Sequence, residues 1–278
     1  MEKSGKLFPA ANWRIIISDP LPGAMNMAVD AAILSAVGRD EVPPTLRLYR
    51  WDPPCLSLGY SQPFSDLDQG QLRSRGWDIV RRPTGGRAIL HTDELTYAVI
   101  GPKTDPRLKG GLMESYRRLS QALSESLKIL GLQIQIHSGK NPDSINHPVC
   151  FENPSDFEIT VEGKKIIGSA QARKKEGILQ HGTLPLIGDL TRVIQVLKYS
   201  NSDQRDQAAA VLLQKAATVE AVLGREVSWN EAAAAFQTGF QNTLNLHFNQ
   251  SDLSSSEKEE AQLLVKTQYG DPRWTEQL

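Results

Sequence analysis

Asp78-Ile79-Val80-Arg81-Arg82-Pro83-Thr84-Gly85-Gly86-Arg87-Ala88-Ile89-Leu90-His91 is the stretch on which the fold turns. It reads as a strand, a tight turn and a second strand. Gly85 and Gly86 permit positive φ and leave backbone N–H groups uncovered, so polar atoms of a ligand can approach closely. Side chains alternate along a strand, so at most one of Arg81 and Arg82 faces such a ligand. The same spacing fits a plain hairpin turn with two solvated arginines. No Gly-Lys-Ser/Thr follows, so this is not the phosphate loop of a nucleotide hydrolase.

Outward from this stretch, short strands alternate with a few helices. Over 45–51, Leu46 and Leu48 alternate with Arg47 and Tyr49, the two-residue period of a half-buried strand. Further strands are predicted over 14–18, 55–60 and 96–100. A helix is predicted over 24–37, with Met25, Ala28, Val29, Ala32 and Ile33 on one face. The clearest helix runs over 112–130, its leucines three and four apart and Gly131 at its end. A strand over 132–137 and a polar loop over 138–148 follow. Glu162-Gly163 is a two-residue hairpin loop. Pairing Val161 with Lys164 sets Thr160 opposite Lys165 and sends the two lysines to opposite faces, Lys164 toward solvent. Beyond about residue 190 only helices are predicted, over 206–222, 229–243 and 256–268. The fold class is α+β, divided into 13–250 and a helical C-terminal extension over 251–278.

Among the 278 residues, 31 Lys+Arg against 32 Asp+Glu give a formal charge of −1. That balance argues against bulk binding to nucleic acid or to a membrane surface, which both depend on accumulated positive charge. No apolar run approaches the roughly 18 residues of a membrane span. The N-terminal stretch is polar and lacks the apolar centre of a signal peptide. Two cysteines make no disulfide framework. A cytoplasmic protein is expected.

Cys150 stands in His147-Pro148-Val149-Cys150-Phe151, at the end of the polar loop. Exposed there, its thiol is a nucleophile; buried, it is packing, the role that Cys55 fits. Lys165 shares its face with Ile167 and Ser169, just before Gly168-Ser169-Ala170-Gln171. A cation beside a thiol of ordinary pKa about 8.5 favours thiolate. A hairpin lysine in water has the same spacing, and both readings stay open. His91, Asp93 and Glu94 lack metal-ligand spacing. His181, in Gln180-His181-Gly182-Thr183, fits a structural histidine, and residue order alone assigns no Ser/His/Asp arrangement.

Taken in order, these motifs resemble the biotin/lipoate A/B protein ligase family over roughly residues 14–270. The likeness rests on Met25-Asn26-Met27-Ala28-Val29-Asp30, Leu58-Gly59-Tyr60-Ser61-Gln62, Arg81 to His91 with Glu94-Leu95-Thr96-Tyr97, Gly163 to Gln171, and Gln180 to Leu184. It implies a ligase-like catalytic domain of mixed sheets packed with helices. One branch of the family uses ATP to join lipoate to protein. Another takes octanoyl groups from acyl carrier protein, and one type within it carries a catalytic cysteine just before the hairpin. Cys150 occupies that place, and Arg87 stands where ligases more usually carry a third glycine.

The resemblance therefore implies an octanoyltransferase with Cys150 as acyl-thioester nucleophile. Lys165 would lower the thiol pKa, stabilise charge or relay a proton. Arg82, Thr84, Gly85, Gly86, His91, Gly168, Ser169 and His181 would bind substrate. The implied donor is octanoyl-acyl carrier protein, and the acceptor a lipoyl-domain protein such as the glycine-cleavage H protein. No cofactor is implied; ATP and Mg²⁺ belong to the alternative, a lipoate–protein ligase. A second alternative is a non-catalytic protein that binds acyl groups or lipoyl domains.

Overall fold

The computed structural model describes residues 7–137 and 158–278. Its first half comprises β1 (Ala11–Ile17), α1 (Gly23–Gly38), β2 (Thr45–Tyr49), β3 (Cys55–Leu58), α2 (Gln69–Ser74), β4 (Asp78–Arg81), β5 (Ile89–His91), β6 (Glu94–Gly101) and α3 (Leu112–Ile129). There follow β7 (Gln135–His137), β8 (Glu158–Val161), β9 (Lys164–Lys165), β10 (Gly168–Arg173), β11 (Ile178–Pro185), α4 (Ser202–Lys215), α5 (Val219–Leu223) and α6 (Trp229–Leu244). β12 (Leu246–Gln250), α7 (Ser255–Leu264) and α8 (Pro272–Thr275) complete the chain.

One mixed sheet runs in the order β10-β11-β6-β2-β1-β12. β10, β11, β6 and β2 pair antiparallel in succession, and β1 is parallel to both β2 and β12. A smaller sheet, β4-β3-β5, holds the stretch from Asp78 to His91. There the structure corrects the expected hairpin. β4 and β5 do not pair; each flanks β3, β4 in parallel and β5 antiparallel. Loop 82–88 therefore crosses the width of a strand, and Gly59 lets the crossing lie close: a Cβ there would meet the Gly86 carbonyl oxygen at 1.9 Å.

The third sheet, β7-β8-β9, has the predicted register, Val161 opposite Lys164 and Thr160 opposite Lys165. Positive φ at Glu162 (51°) and Gly163 (76°) gives the turn the twist that a two-residue hairpin needs.

Each face of the large sheet is covered. On one, Leu46, Leu48, Tyr97, Val99 and Leu184 meet Leu119, Leu123 and Leu127 of α3 and Phe236 and Phe240 of α6. The leucine period makes α3 a one-sided helix, and Gly131, at φ 96°, ends it as predicted. On the other face, Ile16, Tyr49, Ala98 and Ile100 meet Met27, Ala28, Ala32 and Ile33 of α1. β2 is thus buried on both faces, not half-buried as its alternation suggested.

After residue 190 the chain is not helix alone. β12 returns to the sheet beside β1, and the predicted helix over 206–222 is two, α4 and α5, separated by extended backbone at Ala216. The Ser254 hydroxyl and the Glu257 carboxylate form a capping box that starts α7. The same carboxylate takes two hydrogen bonds from Arg14 of β1, at 2.9 and 2.5 Å. Arg81, fully buried, donates to the carbonyls of Thr275 and Gln62, and so holds α8 against the small sheet. Among the described residues no helix is long and apolar enough to cross a membrane.

Candidate active site

A small cavity lies between the large and small sheets. The large sheet contributes Tyr49, Thr96, the backbone of Gly168 and Ala170, His181 and Thr183. The small sheet and its loop contribute Ser57, Arg82, Ile89 and His91. Met27 and Trp51 close it with apolar surface. Gly182 also borders it, at a position with no room for a side chain: a Cβ there would meet the Gly168 carbonyl oxygen at 2.3 Å.

Two histidines face this space, each held by a hydroxyl on one nitrogen and a carboxylate on the other. His91 Nδ1 donates to Glu94 Oε1 at 2.5 Å, so Nε2 accepts from Ser57 Oγ at 2.8 Å. Trp51 stacks on the imidazole, ring centroids 3.9 Å apart and planes within 8°. His181 Nδ1 points to Asp30 Oδ2 at 3.5 Å, and Nε2 accepts from Thr84 Oγ1 at 2.6 Å.

The acids differ in what else they hold. Asp30 accepts from Arg47 at 2.8 Å and from Tyr49 at 3.0 Å, all three side chains fully buried. Burial pushes the Asp30 carboxyl up, but the Arg47 charge and the hydrogen bonds from His181 and Arg47 hold it below its ordinary value. Burial also pushes the Tyr49 hydroxyl well up, helped by the Asp30 charge. His181 is pushed down, first by burial and further by Arg82 and His91, against the opposing pull of Asp30.

Of the residues singled out in the sequence, Arg82, His91, Gly168, Ser169 and His181 line the cavity, and Thr84 reaches it through His181. Arg82 is not solvated: it donates to the Ser57 carbonyl and hydroxyl and to the carbonyls of Gly85 and Arg87. Arg81, on the opposite face, is equally buried. Gly85 and Gly86 stand outside the lining, at the exposed end of loop 82–88. Lys165 is 5% exposed, three residues before Gly168, and its carbonyl accepts from the Ala217 N–H at 3.2 Å. Its neighbour Lys164, expected in solvent, is half-buried. Cys55 is buried packing, its thiol pushed well up by burial. Cys150 and the polar loop over 138–148 lie outside the described residues. Among the described residues no three His, Cys, Asp or Glu side chains converge to hold a metal ion.

Sequence reading missed four contributors. Asn26 and Asp30, four apart in an otherwise apolar helix, share one face, and that pattern was the available signal for a buried polar partner. Ser57, between Leu56 and Leu58, faces opposite to both by strand alternation. Thr183 is 1% exposed, and its hydroxyl has no hydrogen-bond partner among the described residues although it borders the cavity. A buried hydroxyl left unpaired costs about 1–3 kcal/mol, a cost that a hydrogen-bonding atom in the cavity would relieve.

Comparison with known proteins adds a second line of argument. The lipoyl protein ligase A/B catalytic-domain family model matches residues 22–241. Over 95% of its length the chain is 40% identical to the octanoyltransferase LipM of Symbiobacterium thermophilum, spanning 97% of that protein. It is 38% identical to the octanoyltransferase LipM of Brevibacillus brevis, over 94% of this chain and 98% of that one. Among solved structures it resembles the bi-partite lipoate protein ligase of Thermoplasma acidophilum, at 26% identity and TM-score 0.79 over 95% of this chain and 96% of that one. A lipoate-protein ligase A bound with ATP is also similar, at 26% identity and TM-score 0.78 over 96% of this chain and 99% of that one.

Proposed function

Because this chain belongs to the lipoyl protein ligase A/B family and is an octanoyltransferase, we propose that it takes its acyl group from octanoyl-acyl carrier protein and carries it on Cys150. The acceptor is the lysine of a lipoyl-domain protein, such as the glycine-cleavage H protein. Cys150 thiolate attacks the donor thioester, the C–S bond to the carrier breaks, and an acyl-Cys150 thioester remains. One thioester replaces another at little free-energy cost, so ATP has no part in the step.

The observation that carries this reading is the cavity between the sheets. Its apolar lining by Met27, Trp51 and Ile89 suits an acyl chain, and its unpaired Thr183 hydroxyl suits a carbonyl oxygen. At about 0.8 kcal/mol for each buried methylene, an eight-carbon chain supplies several kcal/mol of binding. Gly168 and Ser169 border the cavity at the head of β10, and Arg82, His91 and His181 shape its polar side. Thr84, Gly85 and Gly86 hold the loop that carries Arg82. Lys165, buried just upstream of Gly168, is the cation that favours Cys150 thiolate, stabilises the oxyanion or exchanges a proton with it.

Intact mass of the protein after mixing with octanoyl-acyl carrier protein, without ATP, tests the reading. A gain of one octanoyl group, absent from Cys150→Ala, is expected. No adduct, with a lipoyl domain modified only once ATP and free octanoate are added, makes the protein a ligase and Cys150 a bystander.

A further inference from the structure

The hydrogen bonds around His91 run in one direction. Trp51 Nε1 donates to Thr96 Oγ1 at 2.8 Å, and Thr96 Oγ1 donates to Glu94 Oε1 at 2.6 Å. From the other end, Arg82 Nη1 donates to Ser57 Oγ at 3.1 Å, Ser57 Oγ donates to His91 Nε2, and His91 Nδ1 donates to Glu94. A carboxylate can only accept, so in the neutral imidazole the proton sits on Nδ1 and Nε2 accepts from Ser57. That tautomer leaves Nε2 open to the Ser57 proton and Nδ1–H against a carboxylate. It is the arrangement of a general base oriented by a carboxylate on its other nitrogen.

Both Ser57 and His91 line the cavity, and the strand pairing of β3 with β5 fixes their separation. The reaction makes a demand there that the thioester step does not. An attacking lysine amine acquires a positive charge as its N–C bond forms, and that nitrogen must lose a proton before the amide is stable. We infer that Ser57, His91 and Glu94 form a proton relay that serves the second half of the reaction, transfer from acyl-Cys150 to the acceptor lysine. This rests on the reading of Cys150 as acyl carrier.

In the relay the acceptor nitrogen bonds to the acyl carbon and passes a proton to Ser57 Oγ. Ser57 passes its own proton to His91 Nε2, and the imidazolium is held by Glu94. The C–S bond breaks, Cys150 leaves as thiolate, and the imidazolium proton returns to it. Atoms balance as thioester and amine giving amide and thiol. Ser57 touches the reacting nitrogen and is catalytic; Glu94 acts through His91 and is a positioning residue. The second histidine does not share the role. Asp30 is already engaged by Arg47 and Tyr49, and His181 reaches it only at 3.5 Å.

The test separates the half-reactions. Octanoyl-enzyme, prepared from octanoyl-acyl carrier protein and freed of donor, is mixed in single turnover with a lipoyl-domain acceptor, and acylation and transfer are each timed by intact mass. Glu94→Gln and Ser57→Ala should slow transfer about 100-fold while acylation falls less than about tenfold. In His91→Gly, added imidazole should restore part of the transfer rate. Equal losses in both half-reactions with no rescue, or transfer at the native rate in Ser57→Ala and Glu94→Gln, overturn the relay. A native protein that never forms the octanoyl adduct removes the thioester route itself, and the relay with it.

Discussion

The two faces of the six-stranded sheet are buried to the same degree and built on opposite rules. Under α3 and α6 the strands present Leu46, Leu48, Val99, Ile178 and Leu184, and nearly every contact is hydrocarbon. Tyr97, Ser169 and Gln180 are exceptions, and there the Tyr97 hydroxyl, pushed up to about 12 mainly by burial, is hydrogen-bonded to the other two. Under α1 the same strands present Thr96 and Thr183, and Arg47, Tyr49 and His181 joined to Asn26 and Asp30 of the helix. The apolar face supplies non-directional stability. The polar face spends stability on direction, because each buried polar group needs a partner at a set angle and distance.

The sharpest way to break this contrast is to remove one charge from the polar face without changing its shape. Asp30→Asn leaves Arg47, which is 0% exposed, without its ionic partner. A loss of about 3–5 kcal/mol is expected by urea unfolding, because the remaining charge stays buried. A loss under about 1 kcal/mol would mean that Arg47 reaches water or a new partner, and that the polar face is softer than its geometry says. On the opposite face, Ile178→Val removes one methyl group from a site that is also 0% exposed. About 0.5–1.5 kcal/mol is expected there, with octanoyl transfer unchanged. Together these measurements ask whether one atom costs more on the face that carries the site.

The sequence made the apolar face legible and the polar one obscure, for a physical reason. Hydrocarbon burial leaves a period, so the leucines of 112–130 announced their helix and its glycine end. The 161–164 register was legible because a two-residue turn and a period of two leave little freedom. Polar partners leave no such period. Glu94 stands three residues from His91, a spacing that names no hydrogen-bond partner, while Ser57 lies 34 residues upstream and reaches His91 through strand pairing. The separation of β4 from β5 was hidden for the same reason, since the intervening strand, β3, comes earlier in the chain. β12 was missed because it is a sheet edge: only Leu246 of its five residues is buried, too little for a hydrophobic signal. In the 206–222 segment, Thr218 accepting from the Ala221 N–H is the start of a new helix, a signal that helical periodicity overran.

The smallest effect concerns the proton on His181, and its sign follows from burial. The groups facing this imidazole are Asp30, which pulls its pKa up, and Arg82 and His91, which with burial push it down; the net shift is downward from 6.5. In the unfolded chain the same histidine takes a proton as pH falls through about 6.5. The folded protein resists, so the unfolded state binds more protons and stability falls as pH drops from 7 toward the depressed folded value. Above 6.5 the contribution is complete. His181→Gln can still accept from Thr84 through its amide oxygen but has no such titration. Urea unfolding at pH 7 and pH 5.5 should therefore show a smaller acid loss in His181→Gln than in the native protein. A larger loss in His181→Gln would mean that His181 is protonated in the fold and paired with Asp30 as an ion, an equal loss that it titrates alike folded and unfolded, and either way the two histidines would differ less than their partners suggest.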